Sequence, residues 1–221
     1  MSDEGFFREV NEELRKDQAR AVWDRYGPAA IALALLVIIA TAGWVGYDYW
    51  TTARANSSGD AFSQALRLAN DGRADEALGA LQTLETGGYG SYPTLARMRA
   101  ATVLADKGDQ TGAVAGFDAV AADGSVAQVI RDMARLRAGL ILVDTGSYAD
   151  VAQRVEALTG DTNALRHTAR EALGLSAWKE GRAADALKLF EQISSDQAAP
   201  RNARERAAVM LELVRGSGAA S

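Results

Sequence analysis

The stretch that decides the fold is GRAADALKLF, residues Gly181–Phe190, because its pattern of small and apolar residues occurs four times in the chain. Each copy begins at a glycine, and consecutive glycines stand 35 to 38 residues apart. Side chains spaced by three and four residues lie on one face of a helix. A period of this length indicates a stack of helical units. The glycines are Gly72, Gly108, Gly146 and Gly181, and the residues five, six, nine and twelve positions later are Ala77, Leu78, Leu81 and Leu84; Ala113, Val114, Phe117 and Val120; Val151, Ala152, Val155 and Leu158; and Ala186, Leu187, Phe190 and Ile193.

Each unit is predicted to be a helix, a tight turn and a second helix. Glycine suits a turn that needs a positive φ between two helices. Seven residues before each glycine stands a small residue, which lets the two helices pack closely; these residues are Ala65, Ala101, Gly139 and Gly174. The predicted helices cover 58–70, 74–86, 94–106, 110–122, 126–144, 148–158, 164–179, 183–194 and 201–215.

The predicted fold is therefore all-α. It is an α-solenoid of about four helix pairs over residues 58–215, and its last helix is a C-terminal cap. One unit of this size cannot bury its apolar face alone, so stacking creates the core and the last helix covers the open end. A flexible tail is expected at 216–221.

A run of twenty residues without a charge, PAAIALALLVIIATAGWVGY at 28–47, precedes the repeats. Twenty residues of helix cover about 30 Å, which is the thickness of the hydrocarbon core of a bilayer. Tryptophan and tyrosine flank both ends, as is typical of a membrane interface. We predict a transmembrane helix over 28–50, between a leader at 1–27 and a linker at 51–57. A cleaved signal peptide stays an alternative, because Ala53-Arg54-Ala55 has the form of a cleavage site.

The basic residues around this run indicate its orientation. Arg15, Lys16, Arg20 and Arg25 precede it, whereas Arg54 is the only basic residue close behind it. The positive-inside bias therefore places the N-terminus in the cytoplasm and the repeats on the other side of the membrane.

The composition argues against several classes of function. The 221 residues carry a net charge of -5, with no Cys and one His. This excludes disulfides, Cys-based metal sites and multi-His metal sites, and the acidity argues against nucleic acid as a partner. With no P-loop, nucleophile elbow or dinucleotide fingerprint, we expect neither a cofactor nor an enzyme. The one candidate general base, His167, is interpreted as a polar residue of a repeat helix.

The stretch Gly181–Phe190, with Gly174 before it, resembles the second half of the tetratricopeptide repeat motif. The first three units are more degenerate. All four units lack the motif's aromatic residue near the start of the first helix, where Ala61, Arg97, Arg135 and Arg170 stand.

The whole layout resembles a bacterial family described as ancillary subunits of the Sec translocon, and the leader segment Phe6–Arg15 is similar to the acidic leader of its members. That resemblance implies a single-pass inner-membrane protein with a cytoplasmic N-terminus and a periplasmic tetratricopeptide-like domain. The implied partners are Sec translocon subunits, exported polypeptides or periplasmic chaperones, and the lipid bilayer. A scaffold for cell division or outer-membrane assembly is the alternative.

The tetratricopeptide resemblance also implies a concave groove lined by the first helix of each pair. Its positions lie ten and six residues before each turn glycine, and a tryptophan three residues before the last glycine should face the same way. This groove is mostly apolar, which favours an apolar or helical partner. Two other interpretations stay open: the side chains are ordinary core, or the last helix at Ala203–Val214 fills the groove. The predicted lining residues are Phe62, Leu66, Met98, Thr102, Leu136, Leu140, Glu171, Leu175 and Trp178.

Overall fold

The structure is a computed structural model that describes residues 3–217, with side chains described from Arg15 onward except Ala19. The described residues form helices and no strand, which confirms the all-α prediction. A 3-10 turn, Glu156–Leu158, follows the sixth helix. The helices are α1 (Asp3–Asn70), α2 (Ala74–Gly87), α3 (Tyr92–Asp106), α4 (Gln110–Ala122), α5 (Gln128–Thr145), α6 (Tyr148–Val155), α7 (Arg166–Lys179), α8 (Ala183–Ser194) and α9 (Arg201–Gly216).

The first helix is much longer than predicted. The sequence predicts that the first repeat helix begins at residue 58, whereas α1 is continuous from Asp3 to Asn70 and includes the predicted linker at 51–57. Residues 48–58 contain neither Gly nor Pro, so nothing in that stretch ends a helix. Pro28, expected at a helix start, lies inside α1. The predicted leader and tail reach residues 1–2 and 218–221, which lie outside the described part of the chain.

The chain divides into two compact units, 1–54 and 55–221. In the first unit, α1 is long and apolar enough to cross a membrane by length and composition, and its apolar window is not buried against other protein. Trp44 and Tyr49 are 75% and 78% exposed. The Thr41 hydroxyl donates a hydrogen bond to the Val37 carbonyl at 2.8 Å, so this polar group is satisfied within the helix.

In the second unit the helices form consecutive antiparallel pairs around four clusters of buried residues. The cluster of α1, α2 and α3 contains Ala65, Leu81 and Val103. The next two contain Phe117 and Val155, and the last contains Phe190. The residues five, nine and twelve positions after each turn glycine are all buried, which is the face that the repeat pattern predicts. Those at the sixth position are half-buried.

Three of the four turn glycines adopt the predicted left-handed conformation. Their φ angles are 76° at Gly72, 88° at Gly108 and 75° at Gly181. After each of them, the next residue's N–H bonds a carbonyl five residues back, as Arg182 does to Ala177 at 2.9 Å. The prediction is wrong at Gly146, whose φ of -102° is one that any residue adopts. There Ser147 starts α6 with a capping box through Asp150, so no left-handed residue is needed.

The small residues before the turns lie where two helices of a pair approach each other. Ala65 and Ala101 are buried. A β-carbon built on Gly174 would stand 2.9 Å from the ring of Phe190, and one on Gly139 would collide with Val155. A larger side chain would therefore force the second helix away.

The last helix caps the stack. The face of α9 that packs on α8 carries Ala203, Ala207, Leu211 and Val214, all of which are buried with Phe190 in one cluster. The opposite face carries the exposed Val209 and Leu213.

Candidate partner-binding groove

The predicted lining residues of the first repeat are half-buried. Phe62 and Leu66 lie on α1 within the second unit. The Phe62 ring packs beside the first core cluster, with its centroid 5.9 Å from that of Tyr92 on α3. Phe62 is therefore partly engaged in packing, whereas Leu66 is half-buried without belonging to that cluster.

The middle of the stack has a depression between α3 and α5, with a cavity volume of about 260 Å³. Two predicted residues, Met98 and Thr102, line it. Thr102 donates a hydrogen bond to the Met98 carbonyl at 3.0 Å and accepts one from Arg137 at 3.1 Å. The full lining is Leu95, Met98, Arg99, Thr102, Ile130 and Arg137.

The two predicted residues of α5 have different environments. Leu140 is 41% exposed, so its side chain is accessible to a partner. Leu136 is 5% exposed and belongs to the core cluster of α5, α6 and α7. The same spacing rule thus selects one surface side chain and one core side chain.

The last repeat is covered by α9. Glu171 accepts two hydrogen bonds from the Arg206 guanidinium of α9, at 2.6 and 2.8 Å, and this carboxylate raises the pKa of Arg206. Leu175 and Trp178 pack against the cluster that α7 shares with α8 and α9. These three predicted residues therefore lie at the end of the repeat stack that α9 contacts, whereas Met98, Thr102 and Leu140 lie on α3 and α5.

His167 is buried and paired with a carboxylate. Its Nε2 stands 2.7 Å from Oδ2 of Asp196, and Arg166 bonds the same oxygen at 3.0 Å. The His167 bond, the Ala198 backbone N–H and the Arg166 guanidinium lower the pKa of Asp196 well below its usual range. Asp196 lies in the loop between α8 and α9, so this cluster fixes the loop that leads into the cap. The sequence pattern missed this pair because its partners are 29 residues apart.

Two arginines that the sequence-based prediction did not select occupy equivalent positions in consecutive repeats. Arg99 and Arg137 stand nine residues before Gly108 and Gly146, so they occupy the same position in two consecutive repeats. Both line the depression between α3 and α5. Among the residues from Arg15 to Ser217 whose side chains are described, no group of three or more His, Cys, Asp or Glu residues could hold a metal ion.

The family model of the tetratricopeptide repeat-like domain matches residues 20–192. The chain belongs to this family. Its domains are typically interaction modules for other proteins. The match includes the apolar part of α1 and all helices through most of α8, while α9 lies beyond it. Comparisons with curated proteins and with solved structures gave no match.

Proposed function

We propose that this protein is a membrane-anchored, periplasmic interaction protein that assists the Sec translocon and handles exported polypeptides or their chaperones. The observation that carries the proposal is the extent of the family match, which runs from the apolar helix through the repeats. The binding surface is the part of the groove formed by α3 and α5.

Tethering is the proposed mechanism. A span confines the repeat domain to one membrane surface and raises its effective concentration near any partner in that membrane. Weak contacts then suffice for capture, and weak contacts release a client quickly. The exposed Leu140 and the half-buried Met98 offer apolar surface of this kind.

The resemblance of the layout and of the leader Phe6–Arg15 to ancillary Sec subunits supports the choice of partner. The count of basic residues on either side of the apolar run supports a cytoplasmic N-terminus and a periplasmic repeat domain.

Photocrosslinking in cells tests the proposal. A photoreactive residue at Leu140 or Met98 is expected to capture Sec channel subunits or exported chains, identified by mass. The matched control is the same residue at Lys188, an exposed position on α8. Capture of cell-division or outer-membrane assembly proteins alone would instead assign the protein to another envelope machine.

A further inference from the structure

The depression between α3 and α5 combines apolar side chains with two arginines. Leu95 is 39% exposed at its edge, and Met98 and Ile130 are half-buried. Arg99 and Arg137 line the same depression, and no carboxylate of the described side chains does.

Neither arginine has a carboxylate partner within the described residues. Arg137 donates to the neutral Thr102 hydroxyl at 3.1 Å, and Arg99 donates to the Asn70 amide oxygen at 3.4 Å. The Nε of Arg99 is buried without a hydrogen-bond partner. A buried donor that is left unsatisfied costs free energy, so the chain itself does not fully pair the Arg99 guanidinium.

Arginines two residues earlier on the same helices are paired. Arg97 donates to Asp123 at 2.7 Å, and hydrogen bonds from Ser125 and then Arg97 lower the pKa of Asp123 to about 2. Arg135 donates to Asp132 at 2.8 Å. The chain thus supplies carboxylates to Arg97 and Arg135 and leaves Arg99 and Arg137 with neutral partners.

We propose that this depression binds an acidic, apolar segment of a partner polypeptide. Glu or Asp side chains of the segment bond Arg99 and Arg137, whose planar guanidinium groups match a carboxylate. Apolar side chains of the segment cover Leu95, Met98 and Ile130. The charge complementarity selects such a segment, because carboxylates are attracted to the two cations that line the depression. This inference rests on the proposed function, and it specifies the chemistry of the partner.

The first test compares peptides on the purified full chain in detergent. A fluorescent peptide of alternating Leu and Glu is measured by anisotropy against matched peptides with Gln or Lys in place of Glu. We expect the Glu peptide to bind about tenfold more tightly than the Gln peptide, with an advantage that falls as salt is added. The Lys peptide should bind most weakly.

The second test removes the two charges. The double variant Arg99→Gln/Arg137→Gln should lose about tenfold of its affinity for the Glu peptide and bind the Gln peptide as before. The control Lys188→Gln/Arg201→Gln makes the same charge change at two exposed residues of α8 and α9. It should bind the Glu peptide like the unmodified chain.

Three results would overturn the inference. Equal binding of the Glu and Gln peptides removes the acidic preference but leaves the proposed function standing, provided that Leu140 still crosslinks a partner in cells. No binding of any peptide and no crosslink from Leu140 removes both. If the double variant had a lower mass by light scattering than the unmodified chain, the occupant of the depression would be a second copy of this chain.

Discussion

At the scale of single residues, glycine has two separate roles in the repeats. At Gly72, Gly108 and Gly181 it supplies a left-handed backbone at the corner of a helix pair. At Gly139 and Gly174 it supplies space, because the second helix of the pair lies against its α-carbon. The identity of the residue alone does not separate these roles, but its register in the repeat does.

Gly174→Ala tests the role of space. Its β-carbon would stand 2.9 to 3.2 Å from the Phe190 ring, so α8 must shift, and we expect unfolding to become easier by about 1–3 kcal/mol. The control is Gly79→Ala inside α2, where a β-carbon meets nothing within 4 Å. That substitution should stabilise the chain by about 0.5–1 kcal/mol through helix propensity. Urea denaturation followed by circular dichroism measures both, and equal effects would contradict the packing argument.

Asp196 gives a prediction for pH. Its pKa is lowered from 3.8, chiefly by the hydrogen bond with His167, so the folded state favours the charged carboxylate. The contribution of this group is present above the unfolded pKa of 3.8 and is lost as the pH falls towards the lowered folded value.

Asp196→Asn should therefore lower the free energy of unfolding at neutral pH. The difference in this free energy between the variant and the unmodified chain, here called the gap, should become smaller in acid. Denaturation at a series of pH values measures this gap. A gap that stays constant below pH 3.8 would show that Asp196 acts through packing and not through its charge.

At the scale of elements, the repeat pattern predicted the helix pairs closely. The predicted ranges 74–86, 110–122 and 183–194 differ from α2, α4 and α8 by at most one residue. Apolar spacing and turn glycines fix these bounds locally. The continuity of α1 was missed because the repeat pattern defines only the residues that belong to the first repeat. It does not indicate whether the helix already runs through the residues before them. That α9 covers Glu171 was only one of the interpretations left open by the sequence, since the ion pair with Arg206 joins residues 35 positions apart.

The cap gives an element-scale prediction. Leu211 is 6% exposed on the face of α9 that packs against α8, whereas Leu213 on the same helix is 50% exposed. Leu211→Ala should cost about 2–5 kcal/mol of unfolding free energy, because it leaves a cavity at the end of the core. Leu213→Ala is the matched control and should change stability by less than about 0.5 kcal/mol. Similar losses for both variants would contradict the assignment of α9 as the cap.

At the scale of the whole molecule, the proposed function depends on an apolar helix that stays in the chain and holds the repeats at a membrane. The chain has no Cys, so single cysteines give a clean background for labelling. Lys16 precedes the apolar run, and Lys188 is exposed on α8.

Lys188→Cys should react with a membrane-impermeant thiol reagent when the outer membrane is permeabilised, because the repeats are proposed to lie in the periplasm. Lys16→Cys should react only after the inner membrane is broken, since the positive-inside bias keeps it in the cytoplasm. The mass of the labelled chain should correspond to a protein that retains the residues before 28. A mass that corresponds to a chain starting at Asn56 would mean that the apolar run is a cleaved signal. Labelling of Lys16→Cys alone in intact cells would contradict the proposed orientation. The repeats would then lie in the cytoplasm, where the groove has no access to exported chains.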